Sequence, residues 1–254
     1  MANSQIKSRF DQHGYVFLNG LFTAEESQDM TSRIDHYIRE IAPYLPEDKV
    51  FYEDKSDPTS IKQMFDMSHF DSYFEQLLWN SKVNDMAKLL LGENVDRGFV
   101  EYFNKPPRKA STIAGKGRPT PPHQDCYYFR LNPPQAITFW IPMEDVDEEN
   151  GCLRYVMGSH KKGMRPHGRT QTLGFSQGIV DYGTHDDLEN EVAMPAKTGD
   201  ALAHHGMTIH RADENKSLTR SRKVLGLVYF GESAQEDTEA KRQYQEKLKQ
   251  ERQK

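Results

Sequence analysis

The chemistry in this chain of 254 residues gathers at Pro121-Pro122-His123-Gln124-Asp125, where a β-rich run begins. Side chains alternate faces on an extended strand, so His123 and Asp125 are expected to point together, with Gln124 opposite. An imidazole nitrogen and a carboxylate oxygen, joined by one further imidazole, form the 2-His-1-carboxylate facial triad. That triad holds non-haem Fe(II) and leaves coordination positions open. The third ligand must come from another strand. Gly199-Asp200 opens a run that reaches His210, 85 residues beyond Asp125. His204 and His205 are rival donors in the same run. An unbroken strand would put His204 on the face of His210, whereas Gly206 allows a bulge between them. An isolated His-X-Asp is common by chance, so the surrounding motifs decide.

Beyond His210 stand Asn215, Arg220 and Arg222, and then the apolar run Val224 to Phe230. A dicarboxylate held beside a metal needs a buried cation for its far carboxylate, and the planar, permanently charged guanidinium suits that task. On these stretches the sequence resembles the phytanoyl-CoA dioxygenase family of Fe(II)/2-oxoglutarate oxygenases over most of its length. The resemblance rests on His123 to Asp125, Trp140, Asn150-Gly151-Cys152-Leu153 leading to Gly158-Ser159-His160, Gly199-Asp200, and His210 followed by Asn215 and Arg222. It implies that His123, Asp125 and His210 are the catalytic iron ligands and that Arg222 anchors 2-oxoglutarate. It further implies that Trp140 walls the cosubstrate pocket and that Lys62, in Ile61-Lys62-Gln63-Met64-Phe65, approaches 2-oxoglutarate. Two departures stand out. Ala212 occupies a place where the family often has Ser, and the His210 to Arg222 spacing is one residue longer, which makes Arg220 a rival anchor. Arg222 is favoured because it precedes Tyr229 by the seven residues expected when the strand is aligned from its far end.

The resemblance implies Fe(II), 2-oxoglutarate and O2 as cofactors and cosubstrates, and hydroxylation of a small organic molecule with release of succinate and CO2. Halogenating relatives have a small residue in place of Asp125, so the carboxylate favours hydroxylation. Two other classes compete. A cupin-type dioxygenase or isomerase would use the metal without 2-oxoglutarate, and a non-catalytic binding module would have no need of three ligands.

Substrate contacts are expected from three residues. Tyr127 follows the metal motif and falls on the ligand face by alternation. Glu101 would be a counter-charge to a cationic substrate at the barrel mouth. Arg165 belongs to a basic segment with Lys161, Lys162, His167 and Arg169, which as a lid would draw in an anionic small molecule.

The elements that must position these groups divide at about residue 95, before which helices mixed with short strands are expected. Thr23-Ala24-Glu25-Glu26 fits a capping box ahead of Met30, Ile34, Ile38 and Ile41 at helical spacing, stopped by Pro43. A second helix is expected over Ser81 to Leu91, capped by Gly92. After residue 95 short β-rich runs alternate with Gly, Pro, Asn and Asp, which favours an antiparallel architecture. The expected fold is α+β, mainly β: a double-stranded β-helix (jelly roll, cupin-like) core over 95–234 with a supporting helical region over 1–94. Together they form one domain, 1–234, followed by a charged helical tail, 235–254. Lys105 to Pro122 and Lys161 to Gly183 read as long loops.

Composition narrows the partners. A net charge of −5 and an isoelectric point near 6.1 exclude a global field for nucleic acid or anionic lipid. No run of about 18 apolar residues is present, and Met1 to Tyr15 holds no signal-like apolar block. A membrane partner is therefore not expected, and the expected location is cytoplasmic, with Cys126 and Cys152 as thiols. The ending Glu251-Arg252-Gln253-Lys254 differs from a peroxisomal Ser-Lys-Leu, so peroxisomal lipid oxidation is not expected.

Overall fold

The computed structural model describes residues 2–54, 56–57, 60–108, 118–172 and 175–252. In chain order it runs α1 (Asn3–His13), β1 (Tyr15–Leu18), α2 (Ala24–Glu40), β2 (Val50–Tyr52), β3 (Ile61–Met64), α3 (Met67–Phe70), α4 (Ser72–Trp79), α5 (Lys82–Leu91) and β4 (Val95–Lys105). Then come β5 (Thr120–His123), α6 (Cys126–Phe129), β6 (Leu131–Asn132), β7 (Ala136–Pro142), β8 (Leu153–Val156), β9 (His167–Thr172) and β10 (Phe175–Ile179). The chain continues through α7 (His185–Glu189), β11 (Glu191–Met194), β12 (Ala201–His205), β13 (His210–Ala212), β14 (Arg222–Gly231), β15 (Gln235–Glu236) and α8 (Thr238–Arg252).

The helices start where their caps dictate. Thr23 Oγ1 accepts from Glu26 N at 3.2 Å while the Glu26 carboxylate accepts from Thr23 N at 2.8 Å. Ser81 caps α5, and Gly92 ends it at φ 78°, a left-handed conformation that costs glycine little.

Two antiparallel sheets form the double-stranded β-helix. The larger has the order β1-β12-β7-β14-β4-β3-β2 and the smaller β11-β8-β13-β5. Strand β7 is buried along its whole length because both faces are covered. Ile137, Phe139 and Ile141 pack with Leu225, Leu227 and Tyr229 of β14 into the main core, together with Met30 and Ile34 of α2, Phe74 and Leu78 of α4 and Val83 of α5. Full burial of each such side chain contributes roughly 1.5–3 kcal/mol. The alternate residues of the same strands, Thr138, Trp140, Val224 and Gly226, face the small sheet.

Three features extend or change the expected layout. The short strands of the first 94 residues, β1, β2 and β3, do not stand apart as a support but complete the large sheet. The expected loop at Lys161 to Gly183 contains the β9–β10 hairpin, whose polar sequence hid its strand character. In the expected loop at Lys105 to Pro122, residues 109–117 lie outside the described residues. The tail forms α8, and its Tyr244 lies edge-on to Tyr127 with ring centroids 5.9 Å apart. Among the described residues no helix is long and apolar enough to cross a membrane.

Candidate metal centre

His123 ends β5 and His210 begins β13, and the two residues are direct cross-strand partners. Antiparallel pairing therefore brings together imidazoles that lie 87 positions apart in sequence, with ring centroids 4.1 Å apart. Each ring is oriented by its own backbone. His123 Nδ1 lies 2.8 Å from the carbonyl of Pro121, and His210 Nδ1 lies 3.0 Å from that of Thr208. Each Nδ1 is thereby committed to its own backbone, which leaves each Nε2 to face the centre. Burial, and the neighbouring His123 and His204, hold His210 well below the usual imidazole range, so its ring is neutral and able to ligate.

Asp125 reaches the same point by a route that alternation does not describe. The strand stops at His123, and Asp125 has φ −58° and ψ −39°, the start of α6. Gln124 is what turns the chain. Its N–H donates to His167 Nε2 at 3.2 Å, and its side-chain amide donates to the carbonyls of Gly163 and Met207 at 3.0 and 2.8 Å. Asp125 Oδ1 consequently sits 3.4 Å from His123 Nε2 and 3.5 Å from His210 Nε2. The ligand atoms of the three residues lie within 4.8 Å of one another, in a group that could hold a metal ion. Burial works to raise the Asp125 carboxyl. The imidazoles of His210, His123 and His204 around it outweigh burial and keep the group well below the usual carboxylate range.

The second Asp125 oxygen is committed elsewhere. Oδ2 accepts from Thr138 Oγ1 at 2.7 Å and from His204 Nε2 at 3.1 Å. His204 in turn meets the Tyr155 hydroxyl at 2.9 Å through Nδ1. Both His204 nitrogens are occupied, which sets it apart from His123 and His210, and of the Asp125 oxygens Oδ1 is the one that faces those two rings. His205 also drops out, since its Nδ1 accepts from Met207 N at 3.1 Å and it lies outside the cavity lining.

One cavity joins this centre to other residues singled out in the sequence: Lys62, Glu101, Trp140 and Arg222 all line it. Arg222 is 4% exposed, stands 5.6 Å from the Trp140 ring, and its buried Nε has no hydrogen-bond partner. Burial lowers its pKa to about 10, which leaves it charged near neutrality. A buried guanidinium with an orphaned donor fits an absent carboxylate ligand. Arg220 instead points outward to Asp147 and Glu149. The Asn215 side chain bonds the carbonyls of Lys105 and Arg220 and so secures the turn into β14.

Two expected substrate contacts lie elsewhere. Tyr127 is in α6 rather than on a strand, so it turns from the cavity and stacks on His167 at 3.9 Å, while Tyr128 takes its place in the lining. Arg165 is outside the lining, held by Asp181 at 3.0 Å and Asp187 at 3.1 Å. Sequence reasoning missed Thr138, although it precedes Trp140 by two residues on the same strand face. It also missed Phe99, Phe103, Phe129 and Phe175 in the cavity wall.

A double-stranded β-helix with a buried His/Asp/His group beside a cationic pocket defines the class of iron- and 2-oxoglutarate-dependent oxygenases. The profile of the phytanoyl-CoA dioxygenase (PhyH) family matches residues 10–224, and the chain belongs to that family. It is 33% identical to bovine peroxisomal phytanoyl-CoA dioxygenase over 131 residues, which cover 50% of this chain and 37% of that protein. It is 26% identical to rice phytanoyl-CoA dioxygenase 1 over 251 residues, covering 86% of this chain and 85% of the relative. Among solved structures, the epimerase SnoN in complex with Fe3+, α-ketoglutarate and nogalamycin RO has a TM-score of 0.72 at 20% identity, covering 91% of this chain and 84% of its own. Iron-bound EctD from S. alaskensis has a TM-score of 0.71 at 20% identity, covering 91% and 77% respectively.

Proposed function

We propose that this Fe(II)/2-oxoglutarate-dependent oxygenase hydroxylates a small organic molecule, with His123 and His210 ligating iron through Nε2 and Asp125 through Oδ1. Arg222 would hold the far carboxylate of 2-oxoglutarate against Trp140, with Lys62 adding positive charge to the same pocket. The observation that carries the reading is the pairing, in one cavity, of a His/Asp/His triad with a buried guanidinium whose Nε lacks a partner.

Iron with 2-oxoglutarate and O2 supplies the oxidising power: one oxygen atom enters succinate, CO2 is lost, and the other oxygen enters the C–H bond of the substrate as hydroxyl. The protein's own contribution is placement. Thr138 and His204 occupy Asp125 Oδ2, so Asp125 would offer iron a single oxygen, Oδ1. Phe103, Phe175 and Tyr128 line the ligand side of the cavity and restrict water.

The relatives' named substrate is not transferred, because selectivity lies in the walls and loops rather than in the shared centre. An anionic substrate drawn in by the basic lid loses its support, since Arg165 is neutralised by Asp181 and Asp187. A reducing, cytoplasmic setting belongs to the same reading, supported by two buried free cysteines.

The test is an anaerobic titration of the protein with Fe(II) and 2-oxoglutarate, followed by the metal-to-ligand charge-transfer absorption. The band should form in the wild type and be lost in His210→Ala. Iron binding without the band would overturn the cosubstrate assignment. A substrate screen read by succinate formation then follows.

A further inference from the structure

Phe99, Glu101, Phe103 and Lys105, at alternate positions of β4, line the cavity, joined near the strand's end by Asn104. Phe99 lies edge-on to Phe129 at 6.1 Å, and Phe103 stacks on Phe175 at 6.2 Å. Phe175 in turn lies 5.1 Å from the His123 ring. Glu101 is thus set between two aromatic pairs and is 8% exposed. The sheet is cut away to seat it. Its partner on β14 is Gly226, where a Cβ would stand 2.8 Å from Glu101 Cγ and 3.1 Å from Oε1. Among the described residues its carboxyl forms no hydrogen bond and no ion pair.

A carboxyl in so enclosed a place, open only to the cavity and without a protein partner, is stabilised by a ligand that completes it. The chemistry of the surroundings selects that ligand. The cations of the cavity collect at the other end, where Lys105 pairs in register with Arg222 and feels the charge of both Arg222 and Lys62. That end suits the carboxylates of 2-oxoglutarate. Around Glu101 an anion would meet Asp125 as well, and a neutral alkyl group would leave the carboxyl orphaned. Aromatic faces beside an acid favour an ammonium group.

We propose that Glu101, seated over Gly226 between the Phe99–Phe129 and Phe103–Phe175 pairs, anchors a cationic amine of the substrate. The substrate class is therefore an organic amine, oxidised at a C–H bond some distance from its nitrogen. Burial, with Asp125 nearby, pushes the Glu101 carboxyl well above its ordinary value, as expected of a group waiting for a counter-ion. The inference rests on the iron and 2-oxoglutarate reading of the same cavity.

The experiment uses the anaerobic protein with Fe(II) and 2-oxoglutarate, titrated with n-hexylamine, n-hexanol and n-hexanoate. Binding is read by perturbation of the charge-transfer band and, on metal-free protein, by calorimetry. Hexylammonium should bind about tenfold or more tightly than hexanol, and hexanoate the least. Glu101→Gln should abolish that preference while the affinity for 2-oxoglutarate changes less than about threefold. Gly226→Ala, which crowds the Glu101 side chain without altering its chemistry, should weaken the preference and keeps the test open if Glu101→Gln does not fold. A wild-type protein without amine preference, whether it binds all three probes alike or none, overturns the proposal, as does a preference that survives in Glu101→Gln. A missing band with amine binding intact in the calorimeter would instead overturn the cosubstrate reading alone.

Discussion

The two sheets that face each other across the cavity hold their functional residues by different means. On the small sheet, His123 and His210 come from strands of four and three residues, and each ring is oriented by the carbonyl two residues before it. On the large sheet, Thr138, Trp140, His204, Glu101 and Arg222 take their places from the registers of β4, β14, β7 and β12. The imidazoles on the small sheet are oriented locally, whereas the groups around them are oriented by long-range pairing. Metal binding and cosubstrate binding should therefore fail separately.

The largest effect is expected from the small sheet. His210→Ala should lower iron affinity by more than about a hundredfold, beyond what outer partners contribute, with catalysis lost in parallel. Next comes the large sheet: Arg222→Ala should raise the KM for 2-oxoglutarate about a hundredfold or more while iron affinity, measured by chelator competition, stays within about threefold. Should both constants fall together, the separation of the two walls is wrong. Thr138→Val and His204→Phe cross between the sheets, because both groups act through Asp125; each should weaken iron binding about tenfold, and their double variant less than additively.

Further from the centre, His205 is held to a pKa of about 4 by burial and by the neighbouring His160 and His204, against an ordinary 6.5. The unfolded chain takes up that proton first, so stability should fall as pH drops through that window. The expected loss of Tm is about 5 °C between those limits, flattened in His205→Gln. The smallest effect is the control: Arg220→Ala, on the surface with Asp147 and Glu149, should change the KM for 2-oxoglutarate by less than about twofold.

The same division explains what could be read in advance. His123 and Asp125 form a local motif, so they were legible even though the strand ends between them and a Gln124-anchored turn replaces the expected alternation. Tyr127 shows the cost of that replacement, because the alternation argument carried past the end of β5 chose the wrong tyrosine. Arg222 was legible by parity along an apolar strand, and the capping box of α2 by its residue types. Thr138 and His204 were not, since their meeting with Asp125 depends on the β12–β7 register, which no local pattern encodes. The β9–β10 hairpin was missed because its faces are too polar to display a period of two, and the sheet membership of β1 to β3 because each is only three or four residues long.

Strand β1 pairs with β12, and β12 is joined through β7 and β14 to β4. During synthesis the chain must therefore hold its early strand unpaired until residues past 200 have emerged, and the wall that carries Arg222 closes later still. Contacts of such sequence separation are slow to form. Iron capture is consequently a late event in the life of each new molecule, and the metal should act as a lock on a finished fold rather than as a seed for it.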